Sequence, residues 1–359
     1  MRGLYVHIPF CKSICSYCNF CKRVPRQGMI INYLKVLEKQ FNELSNTNYD
    51  TIYIGGGTPS MLTLEELTIL LNIFKNVNPL EYTIEVNPES YTHQKGLLMK
   101  EMGVNRVSLG AQTFNESHLK TLKREHTNSD LFFAINDLIK IGITNLSLDL
   151  IFALPNQTLK DVKNDLKIVS KLPLKHLSYY SLILEEKTLL YKQYLNSEFE
   201  ANELEAEMYL LIIQELKKLG YLHYEVSNFA KAEKYQSLHN TLYWNLSLYD
   251  AIGAGAHGFD GENRYYYSCN IEKYLQAPEK IVNQQKQEVL IGDYLIFSLR
   301  MLKGVNLNKV KELFQIDIFE KYPELTKFLD EDYLEINNDY LKVTLKGLFF
   351  LNQIELVFV

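Results

Sequence analysis

Two periods of hydrophobic and polar residues alternate along the first two-thirds of the chain. Short apolar runs, rich in β-branched and aromatic residues, fall at 4–8, 51–54, 82–86, 106–109, 146–151 and 176–182. Runs of this length predict buried strands. Between them apolar residues recur every three or four positions, which predicts helices over 31–44, from Thr63, over 94–102, 116–123 and 130–141, and from Thr158. Thr63-Leu64-Glu65-Glu66 and Thr158-Leu159-Lys160-Asp161 set a hydroxyl three residues ahead of a carboxylate, the pattern in which side chain and backbone cap each other at a helix start. Strands separated by helices predict an α/β chain with a parallel sheet of β/α units. Glycine and polar residues gather just after the C-terminal ends of these strands, where such folds hold their sites.

The pattern changes after about residue 230. Residues 239–261 are dense in aromatics, small residues and turns. From 285 the spacing predicts three helices, then β-runs at 333–336 and 340–344 about the polar turn Asn337-Asn338-Asp339, then a final helix from Leu345. Helices with a hairpin predict a small α+β, winged-helix-like domain. Its mixed charges favour a packing lid over a DNA-binding role. The expected organisation is a barrel over 1–230, a connecting, substrate-facing segment over 231–284, and the C-terminal domain over 285–359.

Composition narrows the functional classes. The 359 residues are 47% hydrophobic and 23% charged, with a net charge of −5, so a sizeable core forms and no basic tract marks a nucleic-acid or anionic-membrane surface. No apolar run approaches the roughly 18 residues of a membrane span. The opening Met1-Arg2-Gly3-Leu4-Tyr5-Val6-His7-Ile8 is short and β-like, unlike a signal peptide, so a cytoplasmic protein is expected.

The candidate chemistry lies in the cysteines. Of five, four fall between Cys11 and Cys21 and the fifth is Cys269. An odd count with four crowded together argues against a disulfide framework and for metal binding. Cys11, Cys15 and Cys18 are spaced C-x3-C-x2-C on the loop after the first strand. Three thiolates on a [4Fe–4S] cubane leave one iron open. That iron can chelate the amino and carboxylate groups of S-adenosylmethionine (SAM), and electron transfer into the sulfonium would release a 5′-deoxyadenosyl radical. A structural zinc knuckle completed by Cys21 or His7 is the alternative, although zinc sites usually come as paired C-x2-C units. Cys21 as a fourth iron ligand is a further reading; the spacing does not require it, and a non-ligand is expected.

The residues from Tyr5-Val6-His7-Ile8-Pro9-Phe10-Cys11 to Cys18-Asn19-Phe20 resemble the opening of the oxygen-independent coproporphyrinogen oxidase-like radical SAM family. The resemblance continues in order through Gly55-Gly56-Gly57-Thr58-Pro59-Ser60, Glu85-Val86-Asn87-Pro88, 103–112, Asp149-Leu150-Ile151, 154–158, 224–230 and His239-Asn240-Thr241-Leu242-Tyr243-Trp244, and so spans essentially the whole chain. It implies a partial (β/α)6 barrel with a [4Fe–4S] cluster on Cys11, Cys15 and Cys18 and SAM beside it. Within the family it is nearer the heme-chaperone branch. The dehydrogenase branch has a cysteine where this chain has Phe20, and an extension before a first strand that here begins almost at Met1. Asn19, where the chaperone pattern more often has Asp, and Cys21 depart from the pattern.

Each implied role stands beside a structural reading. Gly56, Gly57 and Thr58 resemble a SAM-binding turn, though a glycine run equally makes a tight turn. Glu85, Gln112 and Asp149 end or interrupt strands; the resemblance gives them to SAM, whereas the residues alone suit satisfied polar groups. Arg124 matches a position able to grip a carboxylate, or is a solvated helix-end cation. Tyr5 resembles a SAM contact, and Tyr17 a SAM contact or a shield for the cluster. A heme carrier must hold heme, which makes His239 a candidate axial ligand, with Asn240, Tyr243 and Trp244 beside it and His7 and His257 as further histidines; a buried, hydrogen-bonded histidine is the bland alternative. The branch implies binding of heme or a related porphyrin and delivery to hemoproteins, including membrane ones, by a monomer or a dimer without nucleic acid. Two enzymatic alternatives are radical decarboxylation of coproporphyrinogen III propionates and another radical SAM reaction.

Overall fold

The computed structural model of the protein describes residues 1–194 and 201–359. Six β/α units follow in order: β1 (Arg2–Ile8), α1 (Met29–Asn42), β2 (Thr51–Gly56), α2 (Leu64–Ile73), β3 (Glu81–Val86), α3 (His93–Glu101), β4 (Arg106–Gln112), α4 (Glu116–Thr121), α5 (Asn128–Lys140), β5 (Asn145–Phe152), α6 (Leu159–Val169) and β6 (His176–Ser181). Each strand from β1 to β6 pairs parallel with the next. This is the expected partial barrel.

Local chemistry sets the helix starts. The hydroxyls of Thr63, Thr92, Thr127 and Thr158 each accept the N–H three residues on, and at Thr63, Thr127 and Thr158 an acid returns the bond. Alternation along the strands sorts their two faces. Leu4, Val6, Ile52, Ile54, Ile84, Val107, Leu109, Leu146, Leu148 and Leu150 are fully buried in the main core. The opposite face carries Tyr53, Glu85, Arg106, Ser108, Asp149 and Ser178, all of which line a cavity inside the barrel. A barrel interior filled with polar groups is not a packing core, and its groups need partners.

The sheet continues beyond six strands. After α7 (Leu189–Tyr194) and α8 (Ala201–Lys218) come β7 (Leu222–Glu225) and β8 (Asn228–Ala230), then α9 (Leu238–Trp244), β9 (Leu248–Ile252), β10 (His257–Phe259), β11 (Arg264–Tyr267), α10 (Ile271–Gln276) and β12 (Lys280–Asn283). β8 is antiparallel to β6 and carries β7 outside it, while β9 is parallel to β1 and leads through β10 and β11 to β12. The whole is a twelve-stranded sheet. The stretch 231–284, expected as a connecting segment, thus contributes four strands, β9 to β12. Asp250 locks this extension to β1: it accepts Arg2 Nε (2.9 Å) and Nη2 (2.7 Å), Tyr49 OH (2.8 Å) and Tyr265 OH (3.2 Å).

The C-terminal region has its own core, centred on Leu295, Leu299, Val305, Leu325, Leu341 and Ile354. It contains α11 (Gln287–Leu299), β13 (Val305–Asn306), α12 (Leu307–Phe314), α13 (Ile318–Lys321), α14 (Leu325–Asp330), β14 (Leu334–Asn337), β15 (Tyr340–Val343), α15 (Leu345–Leu348) and α16 (Leu351–Glu355). The expected hairpin is β14–β15, with β13 on its other edge. Four helices stand where three were expected, because Asp317 caps a new start over α13 and Pro323 precedes another. The expected final helix is split at Phe349 and Phe350 into α15 and α16. Val226 N–H to Arg300 O (3.1 Å) and Leu302 N–H to Tyr224 O (3.0 Å) join this region to the barrel side.

Candidate functional site

The C-terminal ends of β1 to β6 surround one cavity of about 490 Å3. Cys11, Cys15 and Cys18 line it and carry free thiols. Their loop is stapled at its base, where Cys11 N–H donates to Arg23 O (3.0 Å) and Arg23 N–H to Pro9 O (2.6 Å). On the far side Ser16 N–H donates to Leu122 O (3.1 Å) and Leu190 N–H to Ser16 O (2.8 Å), so α4 and α7 hold the loop's tip. Tyr17 packs there on Leu122, Ile151, Leu154 and Leu190.

The thiols have polar company. Thr58 Oγ1 donates toward Cys11 Sγ at 3.6 Å, and Arg124 Nη1 toward Cys15 Sγ at 3.7 Å. Burial pushes the Cys11 thiol up to about 11, against the pull of the Thr58 hydroxyl. Burial likewise raises Cys18. Metal binding would replace these protons, since only a thiolate ligates. Among the described residues no group of three His, Cys, Asp or Glu, the three cysteines included, already stands in metal-holding geometry. In chemistry the donor set, three free thiols on one short loop lining an open cavity, suits a cluster with one free iron.

The turn after β2 is built by contacts to β1. A Cβ on Gly56 would stand 2.5 Å from the His7 ring, and one on Gly57 2.6 Å from Phe10 O. Gly57 N–H donates to Ile8 O (2.9 Å), Thr58 N–H to Phe10 O (2.7 Å) and Gly56 N–H to Glu85 Oε2 (3.1 Å). Glycine is therefore needed here for close packing, and these three amides are spent within the protein.

Glu85 also accepts Tyr53 OH at 2.8 Å. Burial raises its carboxyl to about 7, with Tyr53 and Gly56 opposing and Asp149 adding to the rise. Asp149 accepts Ser108 Oγ at 3.0 and 3.1 Å, and burial raises it too. Arg124 is no solvated cation: its side chain is 5% exposed, and Nη2 donates to Gly110 O at 2.6 Å. Gln112 lines the cavity with a left-handed backbone (φ 66°) beside a register shift in β4, a conformation unusual for a residue with a side chain.

Most sequence candidates meet in this cavity: Tyr17, Gly56, Gly57, Thr58, Glu85, Gln112, Arg124 and Asp149 all line it with the three cysteines. Tyr5 does not line it; its hydroxyl bonds to His7 Nδ1 at 2.9 Å. Of the 239–244 segment only Asn240 lines it. His239 is fully buried, Nδ1 bonded to Thr51 Oγ1 (2.7 Å) and Nε2 to Tyr243 OH (2.8 Å). Neither nitrogen is free for a metal in this arrangement. His7 Nε2 is likewise taken by Cys21 O at 2.8 Å. Tyr53, Asn87, Arg106, Ser108, Ser178 and Tyr180 are among the further lining residues and were missed. Polar residues two apart within apolar runs, Arg106 with Ser108 and Ser178 with Tyr180, were the available signal.

One expectation is corrected. Cys21 is neither free nor grouped with the other three; it is bonded to Cys269, with Cα atoms 5.6 Å apart. The odd count and crowding of the cysteines point away from a disulfide, and they mislead here because the partner of Cys21 lies 248 residues on. The extension of the sheet past β1 carries the turn after β11 to the base of the cysteine loop.

Comparison with known proteins follows the same lines. The radical SAM superfamily model matches residues 5–169, and the HemN C-terminal domain model matches 287–350. The heme chaperone HemW of Bacillus subtilis (strain 168) is 35% identical over 356 residues, covering 94% of each chain. HemW of Lactococcus lactis subsp. lactis (strain IL1403) is 35% identical over 357 residues, covering 96% of this chain and 94% of its own. HemW of Escherichia coli (strain K12) is 30% identical over 373 residues, covering 98% and 96%. The solved structure of coproporphyrinogen III oxidase (HemN) from Escherichia coli, a radical SAM enzyme, shares the fold with a TM-score of 0.86 at 21% identity, over 99% of this chain and 89% of that one.

Proposed function

The chain belongs to the HemW family of radical SAM proteins, and we propose that it is a heme chaperone that binds heme and passes it to hemoproteins. The observation that carries the reading is the meeting of Cys11, Cys15 and Cys18 with Gly56, Glu85, Arg124 and Asp149 around one cavity, in a chain alike to the HemW relatives along nearly its whole length. The three thiolates would hold a [4Fe–4S] cluster, which when bound supplies electrons and an open iron for SAM.

The remaining roles follow from the lining. Because the amides of Gly56, Gly57 and Thr58 are engaged, this turn offers a SAM ammonium acceptors rather than donors, with the Glu85 carboxylate behind it. Arg124 offers a guanidinium to the SAM carboxylate next to Cys15. Tyr17 shields the cluster from the side of α4. Tyr5 acts through His7 and steadies β1. The heme segment is His239, Asn240, Tyr243 and Trp244: Asn240 faces the cavity, and the buried indole N–H of Trp244 has no partner. For His239 to ligate heme iron, one of its two bonds, Nδ1 to Thr51 or Nε2 to Tyr243, would have to open. Recipients include membrane hemoproteins, and the proposed location is the cytoplasm; no helix among the described residues is long and apolar enough to cross a membrane. Phe20, exposed at the cavity rim, occupies the position of the dehydrogenase cysteine and disfavours coproporphyrinogen decarboxylation.

Anaerobic reconstitution followed by heme titration tests this reading. About four irons per chain, a reduced-cluster EPR signal altered by SAM, and saturable heme binding are expected. Turnover of coproporphyrinogen, or no heme binding at any ratio, would overturn the chaperone assignment; zinc as the sole metal would overturn the cluster.

A further inference from the structure

We propose that Cys21 and Cys269 form a reversible thiol–disulfide site that controls how firmly the cluster-binding loop is held to the sheet. Cys21 lies three residues past Cys18, on the strand of chain that closes the loop through the Arg23 bonds. Cys269 sits between β11 and α10 on the sheet extension. The same two segments are joined by the ion pair of Arg23 with Glu272. The Cα separation of 5.6 Å lies within the normal range for a bridge, so thiols and disulfide fit the same backbone.

The surroundings fix Cys21 and leave its partner open. His7 holds the carbonyl of Cys21 at 2.8 Å. A Cβ on Gly255 would lie 2.5 Å from that of Cys21, so glycine there makes room for the pair. Cys269 is solvent-exposed, whereas Cys21 is half-buried. A reductant therefore reaches the sulfur of Cys269 first. Cytoplasmic disulfides are mostly transient or redox-sensing rather than structural, which fits an exposed pair.

The reaction balances with a thioredoxin-type dithiol. One thiolate of the dithiol attacks Cys269 Sγ and forms a mixed disulfide, while Cys21 Sγ leaves as a thiolate and takes a proton. The second thiol of the dithiol then displaces Cys269, which is protonated in turn. The dithiol ends as a disulfide, and the cysteine pair has gained two electrons and two protons. The consequence lies in the loop. Oxidised, the bridge withdraws one of four loop cysteines and leaves Cys11, Cys15 and Cys18 as the available thiols. Reduced, the loop keeps only its hydrogen bonds and the Arg23–Glu272 pair at this end, and Cys21 becomes a competing thiol.

The test uses the full chain in two readouts. Oxidised and dithiol-treated protein, without denaturant, is alkylated and mapped by mass spectrometry. A peptide pair linked through Cys21 and Cys269 is expected in the first sample, its loss in the second, and its return with oxidised glutathione. No linked pair after oxidation, or a pair that resists the dithiol in the folded protein, would overturn the proposal. This readout needs no iron, so it fails separately from the cluster reading. In reconstituted protein, reduction of the pair is expected to speed chelator removal of iron severalfold, and C269S to show the fast rate in both states. Equal rates in oxidised and reduced wild type, or redox-dependent release in C269S, would overturn the control of the loop.

Discussion

Glu85 accepts the backbone N–H of Gly56 at 3.1 Å, so a carboxylate at the end of β3 fixes the glycine turn at the end of β2. Burial raises this carboxyl from the ordinary 4.5 to about 7. Between those values the folded chain keeps a proton that the unfolded chain has lost. Its contribution to stability is complete below pH 4.5 and lost as pH rises through 7. Glu85→Gln keeps an acceptor for Gly56 and removes the titration. The stability of the metal-free wild type relative to E85Q is expected to fall by at most about 3 kcal/mol from pH 4.5 to 8. Urea unfolding of both proteins across that interval measures it; a flat difference would refute the assignment.

Arg124 reaches Gly110 O and Cys15 Sγ with separate nitrogens. A lysine supplies charge without the fork. R124K is expected to weaken SAM binding about tenfold, the loss of one charged hydrogen bond, while iron content stays near wild type. Equilibrium SAM binding together with iron analysis distinguishes this from collapse of the cluster loop, in which iron would fall as well.

His239 is stacked on Tyr53 (5.3 Å between centroids) and bonded on both nitrogens. His239→Ala is expected to cost about 2–4 kcal/mol in heme-free protein, from a cavity plus stranded partners on Thr51 and Tyr243. Unfolding with and without heme separates the roles. A loss confined to the heme-bound state would make His239 a ligand and not a support.

Asp250 gathers Arg2, Tyr49 and Tyr265 at the seam between β1 and β9. Asp250→Asn keeps the shape and removes the charge that faces Arg2. A loss of about 2–3 kcal/mol is expected, with heightened proteolysis in 248–284 as the sheet extension loosens. Limited proteolysis of wild type and D250N checks it.

The six β/α units were legible because each strand is a short run dominated by apolar and aromatic residues, and because helices such as those after Thr63 and Thr158 open on a capping threonine. The cysteine loop was legible as a metal-binding candidate from its spacing, which left a zinc knuckle open beside the cluster. What stayed hidden depends on distant pairing. β9 to β12 carry polar and aromatic residues in short pieces, and their strand character comes from pairing in series outward from β1, β9 first, rather than from their own pattern. Cys269 gave no sign of a partner for the same reason. Gly56 and Gly57 stand in the turn after β2, but their need for glycine is set by His7 and Phe10, which the sequence separates from them by some fifty residues. His239 could be read as ligand or core, and only its neighbours decide that both nitrogens are used.

The position of β1 also bears on the order of events during synthesis. Although β1 precedes every other described strand in the chain, it ends up an interior strand, flanked by β2 on one side and β9 on the other. Its loop of cysteines leaves the ribosome early, yet the frame beneath that loop closes only when residues 248–252 dock, and its last tie waits for Cys269. Non-local closure of this kind is slow compared with the folding of each β/α unit. The frame beneath the three thiols is therefore completed only after residue 269 has been made, and a nascent chain halted before that point would display its thiols on an unfinished support.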